Sequence, residues 1–412
     1  MDYFEYRDGE LWAEGIRVSD LAEEFGTPLY VYSTKTLRRH YNAFDKALGK
    51  LDHLTCFSVK ANGNIGLLSL LGGFGAGVDI VSGGELYRAL KAGIDPGKIV
   101  FSGVGKQEHE IREALKADIL MFNVESAQEL ERIDRIAAAM NTRARISIRI
   151  NPDVDAKTHP YISTGLKRNK FGLDMLEATG AYLLAKASPS IEPVGMDCHI
   201  GSQLTQIGPF MEALNKLLDF ADRLQSSGVD IHYLDLGGGL GITYDDEAPP
   251  LPAELGQAIA DTIDGRKLTV ILEPGRAIAG NAGILVTQVL YTKKTSAKNF
   301  VIVDAAMNDL MRPSLYGAYH RISEVHPKGR EKQIVDVVGP ICESSDFLAQ
   351  DRQLPTTEPG EYLALFSAGA YGFTMSSQYN ARPRAAEVIV DAERVTLARR
   401  RETYADLIAL EI

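Results

Sequence analysis

The chain predicts an α/β fold: a (β/α)8 barrel of the TIM type, with a C-terminal mostly-β domain that the N-terminal segment completes. Three observations point there. Eight β-rich runs recur through the first two thirds of the sequence, each followed by a stretch whose apolar residues fall three and four apart. Past about residue 280 the strand-like runs follow one another without long helices between them. The unusual polar residues gather at the C-terminal ends of the eight runs, where a parallel barrel builds its ligand site.

The first run is LTCFSV (54–59), closed by Lys60. GVDIV (77–81), KIVFSG (98–103), DILMFNV (118–124) and RISIRI (145–150) follow, with helical patterns such as GELYRALKAG and AQELERIDRIAAAM between them. VGMDCHI (194–200), IHYLDLGGG (231–239) and KLTVILEPG (267–275) complete the set. Strand then helix, repeated, implies a parallel sheet. Eight repeats favour closure into a barrel, with a doubly wound open sheet as the structural alternative. The later runs are GILVTQVLYTK, NFVIVDAA, QIVDVVGP, EYLALFSAGAYG and AAEVIV. At the other end, FEYRDGELWAEGI contains a D-G turn between short strands and is expected to join the C-terminal sheet. Residues 28–280 are therefore assigned to the barrel, and 1–27 with 281–412 to the β-rich domain. Prolines 249, 250 and 252 mark a loop within the barrel and no linker.

Bulk composition narrows the partners. A chain of 412 residues exceeds one ordinary core. With a net charge of −11 and no long basic run, nucleic acid and anionic membrane are not expected partners. No apolar run is long enough to span a bilayer, and MDYFEYRDGELW lacks the apolar core of a signal peptide. Cys56, Cys198 and Cys342 are odd in number, widely spaced and without a CxxC pair, so neither a disulfide framework nor a zinc site is expected. The expectation is a reduced, cytoplasmic protein that binds no metal.

Strand alternation puts Leu54, Cys56, Ser58 and Lys60 on one face and Thr55, Phe57 and Val59 on the other. Phe57 and Val59 suit the helix-facing side, which turns Lys60 into the barrel mouth. Taken alone, Lys60 reads sooner as a lysine snorkelling from a strand end, and the company of the other strand ends reverses that. GGGLG, with Gly237, Gly238 and Gly239, lets backbone amides approach a phosphate, or is simply a tight turn. A dinucleotide fingerprint starting at Gly237 fails, because Ile242 stands where it needs glycine. GVGKQ (103–107) fails as a P-loop, with Gln107 in place of Ser or Thr. EPGR leaves Glu273 at the mouth beside Arg276 after the turn at Gly275, and could be a surface ion pair. His199, in CHIGSQ, could be an ordinary core histidine. A lysine, a phosphate cradle, an acid and a flat imidazole at neighbouring strand ends together match the needs of pyridoxal 5'-phosphate. Asp79 and Arg149, at two further strand ends, are read as charges near Lys60 and Glu273.

The motifs FSVKAN, DIVSGGE, FSGVGK, INPDVDAKTHPYISTG, NKFG, HIGSQ, DLGGGLGI, EPGR, MRPSLYGAYH, GPICESSD and SAGAYGFTMSSQYN run through nearly the whole chain. In that order they closely resemble the fold-type III pyridoxal-phosphate decarboxylases, and within them the branch that acts on meso-2,6-diaminopimelate to give L-lysine, the last step of lysine synthesis. The resemblance implies that Lys60 anchors the cofactor covalently, His199 stacks on its ring and Glu273 meets its ring nitrogen. It implies that Ser202, Gly239, the 273–276 turn and Tyr371 hold the phosphate region. Arg276, Arg312 and Tyr316 would grip the distal carboxylate of the substrate, with Tyr371 nearby, and Glu343 its distal ammonium. Cys342 would return a proton after carbon dioxide leaves; read without the resemblance, it is as well an inert buried cysteine. The resemblance further implies a homodimer in which Cys342 and Glu343 serve the neighbouring protomer's site. His159 and Lys170 fall in a loop expected to cover the site, without assigned roles. FTM after GAYG is bulkier than the family often has there. Alternatives on the same scaffold are decarboxylation of ornithine, arginine or a carrier-bound amino acid, an alanine-racemase-like reaction, and a non-catalytic cofactor carrier.

Overall fold

A computed structural model of the protein describes residues 2–155 and 170–412. The chain divides into two compact units: His40–Ile242 with Ala248–Ala277, and Met1–Arg39 with Thr243–Glu247 and Ile278–Ile412.

The first unit is a closed, all-parallel eight-stranded barrel. Its strands, first to eighth, are His53–Ser58, Gly77–Ile80, Ile99–Phe101, Met121–Val124, Ala144–Arg149, Ile191–Asp197, Tyr233–Asp235 and Thr269–Leu272. The eighth pairs with the first, Leu272 opposite Thr55, which closes the ring and rules out the open sheet. Inside, Cys56, Val100, Met121, Val194 and Ile271 form a buried apolar layer. The helices start where short polar side chains cap the free amides left after a strand. Ser82 accepts from the Glu85 amide and opens Gly83–Lys91; Ser126 does the same for Ala127–Ala139. Asp174 caps Met175–Ala187 reciprocally with Glu177. Gly75, at φ 108°, ends Ile65–Phe74 in the left-handed region that glycine enters without cost. Pro252 occupies the first turn of Pro252–Ile263, so the proline cluster serves as a loop and a helix start.

The second unit holds a nine-stranded mixed sheet and a separate three-stranded one. Apolar residues Leu11, Val18, Leu21, Leu29, Val31, Ile284, Val286, Val388 and Val390 share its main core. The assignment of 28–280 to the barrel needs correction at its edges. Leu29–Ser33 lies inside the nine-stranded sheet, antiparallel to Gly283–Lys294 on one side and parallel to Ala386–Asp391 on the other. Its five residues are all buried, as a central strand requires. Thr243–Glu247 and Ile278–Gly280 also group with this unit.

The N-terminal hairpin also differs from expectation. Among the described residues Phe4–Arg7, Glu10–Ala13 and Ile16–Arg17 pair with one another and with no further strand, so the hairpin caps the core as its own sheet. Its D-G turn forms as read, with Asp8 at φ 50° and Gly9 at φ 77°. A bond from the Leu11 amide to the Val325 carbonyl, 2.8 Å, ties it down. Three further strands give no clean apolar run in the sequence: Ile322–Glu324 and Phe347–Pro355 carry polar residues through their middles, and Arg394–Arg399 is interrupted by Thr396 and bounded by arginines.

Candidate active site

In the barrel unit the first strand stops at Ser58, and one tight turn, Val59–Ala61, presents Lys60. Lys60 Nζ lies 2.7 Å from Asp79 Oδ2 on the end of the second strand. The side chain of Asp79 is fully buried and that of Lys60 is 39% exposed, so the ammonium sits at the rim over an acid below it. A snorkelling lysine would have no such partner. Ser58 Oγ is 2.9 Å from the same Asp79 oxygen and 2.9 Å from the Glu273 carbonyl, so Ser58 knits the first, second and eighth strand ends together.

Glu273 is buried, with Oε1 3.4 Å from Ser102 Oγ. Burial first, then the nearby Asp235, Asp79 and Asp197 carboxyls, push its pKa well above the usual carboxylate range. Asp235 is raised to about 6, chiefly by burial. Arg149, at the end of the fifth strand, pairs with Glu125 at 2.7 Å and approaches Asp197 at 3.8 Å, and its guanidinium lies over the Phe171 ring. It neutralises part of this acidic floor.

His199 follows the sixth strand, and its Nδ1 accepts from the Gly238 amide at 3.2 Å. Burial, then Arg149 and Lys60, hold the imidazole well below its ordinary pKa. It is therefore a neutral ring. The glycine turn has no room for side chains. A Cβ on Gly238 would stand 2.3 Å from the Glu273 carbonyl oxygen, and one on Gly239 2.4 Å from that of Gly201. Gly237 and Gly239 also have φ of 64° and 113°, a region that disfavours other residues. A Cβ on Gly275 would press within 3.0 Å of Ser58 and Ala61. Arg276 is buried and 3.2 Å from Ser202 Oγ. Lys106, of the failed P-loop reading, is buried against Glu129 at 2.7 Å and is structural.

The remaining predicted residues belong to the β unit. Arg312 opens the short helix Arg312–Tyr316, is buried, lies over the Tyr244 ring at 4.5 Å, and sits 2.8 Å from His320 Nε2. His320 Nδ1 faces the Phe366 carbonyl at 2.8 Å, which fixes the ring as the tautomer that accepts from Arg312. Tyr316 is half-buried on the same helix, and Tyr371 is half-buried with φ 57°. Ser314 Oγ donates to the Ser345 carbonyl at 2.6 Å, which brings this helix to the CES turn. Cys342 is exposed, with its amide donating to Asn380 Oδ1 at 2.8 Å. Exposure disposes of the inert buried cysteine for Cys342, whereas Cys56 and Cys198 are both buried. Exposed Glu343 accepts from Ser345 Oγ and the Tyr379 hydroxyl, each at 2.6 Å, and these bonds hold its pKa low. His159 lies outside the described residues. Lys170 is exposed, its Nζ 5.3 Å from the Phe171 ring centre.

Sequence reading passed over Ser102, Asn123, Glu125, Asp197 and Asp235 below the mouth, and Tyr244, His320, Tyr379 and Asn380 in the β unit. Asp197 and Asp235 end their strands as Arg149 does, a positional signal that was there to use. The others are set by contacts distant in sequence.

The residues fit pyridoxal phosphate. A turn that only glycine can occupy offers amides to a phosphate. A half-buried amine stands nearby, and buried carboxyls await a positive partner. Residues 34–280 match the family model for the pyridoxal-binding domain of pyridoxal-dependent decarboxylases. The diaminopimelate decarboxylase of Vibrio cholerae is 55% identical, covering 100% of this chain and 99% of that one. Its counterpart from Pseudomonas aeruginosa is also 55% identical, over 100% of this chain and 99% of that one. The crystal structure of diaminopimelate decarboxylase from Helicobacter pylori complexed with L-lysine superposes with a TM-score of 0.93 at 47% identity, covering 95% of this chain and 98% of that one. That of the M. jannaschii enzyme in co-complex with L-lysine gives a TM-score of 0.95 at 43% identity, over 100% and 98%. Full-length likeness at this level, on a barrel whose strand ends fit the cofactor, leads to one conclusion: the chain belongs to the diaminopimelate decarboxylases, a family of pyridoxal-phosphate-dependent carboxy-lyases.

Proposed function

We propose that the barrel mouth is the reaction centre at which meso-2,6-diaminopimelate is decarboxylated to L-lysine and carbon dioxide. The observation that carries this reading is the buried Glu273 carboxyl, set among other acids beside the Lys60–Asp79 pair. Such a carboxyl is costly to keep unless it serves a positive partner.

Pyridoxal phosphate, when bound, supplies an electron sink for the pair left on carbon as carbon dioxide departs. Lys60 is its covalent anchor, with Asp79 setting the amine's position. His199 gives a neutral flat face to the ring, and Glu273 faces the ring nitrogen. The Gly237–Gly239 turn, Ser202, Gly275, Arg276 and Tyr371 form the phosphate region. Arg276, Arg312, Tyr316 and Glu343 recognise the distal amino-acid head, with Tyr371 nearby. Ornithine and lysine lack the distal carboxylate and would leave buried arginines without it, which a polar site rejects strongly. Cys342 holds the proton that the reacting carbon takes, and its exposure supports a role at a surface that another protomer covers. The working unit is then a cytoplasmic homodimer in which Cys342 and Glu343 complete the neighbour's site. Among the described residues, no helix is long and apolar enough to cross a membrane.

Carbon dioxide release from meso-diaminopimelate, ornithine, arginine and lysine tests the assignment. Turnover is expected with diaminopimelate and not with the others. Activity on ornithine or arginine with none on diaminopimelate would sink it.

A further inference from the structure

The loops that follow the sixth and seventh strands of the barrel are joined side by side. Leu204 and Leu240 form a parallel bridge: the Leu204 amide donates to the Gly239 carbonyl at 2.8 Å, and the Gly241 amide to the Leu204 carbonyl at 3.0 Å. Beside the bridge a side chain continues the pairing. Gln203 Nε2 donates to the Ile242 carbonyl at 2.6 Å, and Gln203 Oε1 accepts from the Ile242 amide at 3.1 Å. One side-chain amide thus satisfies both backbone groups of one residue, as a neighbouring strand would. The Ile242 N–H can only face an oxygen, which fixes the orientation of the Gln203 amide. Gln203 holds this clamp at φ 59°, a conformation unfavourable for a residue with a Cβ. Strain of this kind persists where the surroundings enforce it, and it gathers at ligand sites.

We propose that Gln203 is a positioning residue for the cofactor phosphate: by clamping the two loops together it sets the gap between the Ser202 hydroxyl and the amides of the glycine turn. The proposal rests on the reading that Ser202 and Gly237–Gly239 form the phosphate region. The clamp borders that region on both loops. Gln203 directly follows Ser202, whose Oγ is 3.2 Å from Arg276. Ile242 ends the run GGGLGI, three residues after Gly239. The loops pack at the limit of approach. A Cβ on Gly241 would stand 3.0 Å from the Leu204 carbonyl oxygen and 3.3 Å from Gln203 Cδ, as tight a fit as that of Gly239 against Gly201. Loss of the clamp leaves the bridge at Leu204, about which the Ser202 end can turn.

A phosphate is sensitive to such a turn. Its oxygens take hydrogen bonds from both loops at once, and a shift of about 0.7 Å carries an ordinary N–H···O bond out of range. Lys60, Asp79 and Glu273, at the ring end of the site, stand on the first, second and eighth strand ends and are tied to one another through Asp79 and Ser58. A fault at Gln203 therefore acts on the phosphate and spares that end. A residue that only supported the fold would weaken every ligand alike.

The test uses the full-length chain stripped of cofactor, with two variants. Gln203→Gly removes both bonds and relieves the left-handed backbone. Gln203→Glu keeps the shape and the acceptor but sets a carboxylate oxygen against the Ile242 carbonyl. Pyridoxal 5'-phosphate and pyridoxal, which lacks the phosphate, are each titrated by absorbance, and circular dichroism reports the fold. Wild type is expected to prefer the phosphorylated form by a wide margin. In both variants affinity for pyridoxal phosphate should fall about ten-fold, the worth of one hydrogen bond, with affinity for pyridoxal unchanged. The preference then shrinks by the same factor. A wild-type preference in either folded variant overturns the positioning role, whether the two affinities stay put or fall together. A wild-type chain that binds pyridoxal as tightly as its phosphate sinks the phosphate-region reading itself, whatever the variants do. If one variant does not fold, the other decides. If neither folds, the clamp belongs to the fold alone and the proposal fails.

Discussion

Replacing Lys60 by alanine removes an amine held 2.7 Å from a fully buried carboxylate. Two effects are expected. The cofactor absorbance band at the visible–ultraviolet boundary disappears, and Asp79, whose Oδ1 has no hydrogen bond among the described residues, loses its ammonium partner. A normal band in Lys60→Ala would remove Lys60 from its proposed role. Cys342 presents a different case, because it is exposed and its thiol does not support the fold. Cys342→Ala is expected to keep the wild-type melting point and the cofactor band. Its kcat should fall by about 10²–10⁴, the usual worth of a positioned proton donor, with KM little changed. Steady-state rates with diaminopimelate check this, and a variant as fast as wild type would assign the proton elsewhere. Glu343 beside it is held ionised by Ser345 and Tyr379, as a carboxylate must be to meet an ammonium.

Loops at the ends of elements set the tolerances of the site. Gly238→Ala would drive a Cβ to within 2.3 Å of the Glu273 carbonyl oxygen, which is backbone and cannot swing away. The turn must move, and with it the amide given to His199, so cofactor affinity should drop sharply in an absorbance titration. A titration indistinguishable from wild type would mean that the turn yields freely. Lys106 offers a control within the same barrel. Lys106→Met leaves Glu129 buried without its 2.7 Å partner, and loss of one member of a buried pair costs about 3–5 kcal/mol. A lowered denaturation midpoint with kcat retained is the expected outcome. These elements also show what could be read beforehand. Alternation reaches only to Ser58, which does share its strand face as read, because a two-residue period is local information; Lys60 lies one turn beyond, on Val59–Ala61, and is set by that turn and by Asp79. The run of contacts from Asp235 through Asn123 and Ser102 to Glu273 was not legible. Each member is an ordinary residue in its own segment, and only closure of the barrel brings four segments to one point. The hairpin was misjudged for a related reason: its strands satisfy each other, and the sheet takes the later run Leu29–Ser33, which the sequence assigns as readily to the barrel.

Mixing chains tests the whole assembly. Lys60→Ala and Cys342→Ala chains are each expected to be nearly inactive. If protomers exchange and each site draws Cys342 from its neighbour, half the dimers are mixed and one of their two sites is intact, so about a quarter of wild-type activity returns. No recovery from well-folded, exchanging chains would place Cys342 in its own protomer's site. The path of the chain adds a different consequence. Leu29–Ser33 lies between Gly283–Lys294 and Ala386–Asp391, so its two neighbours are made some 250 and 350 residues after it. During translation this apolar strand leaves the ribosome long before either partner exists, while the barrel, an insertion between the two halves of the β unit, is completed around residue 277. The barrel can therefore fold first, but the β unit must wait for the last tenth of the chain. Truncation near residue 380 would leave one edge of Leu29–Ser33 bare, and a bare apolar edge is a template for aggregation. Nascent chains stalled at that length should need a chaperone that the finished protein does not.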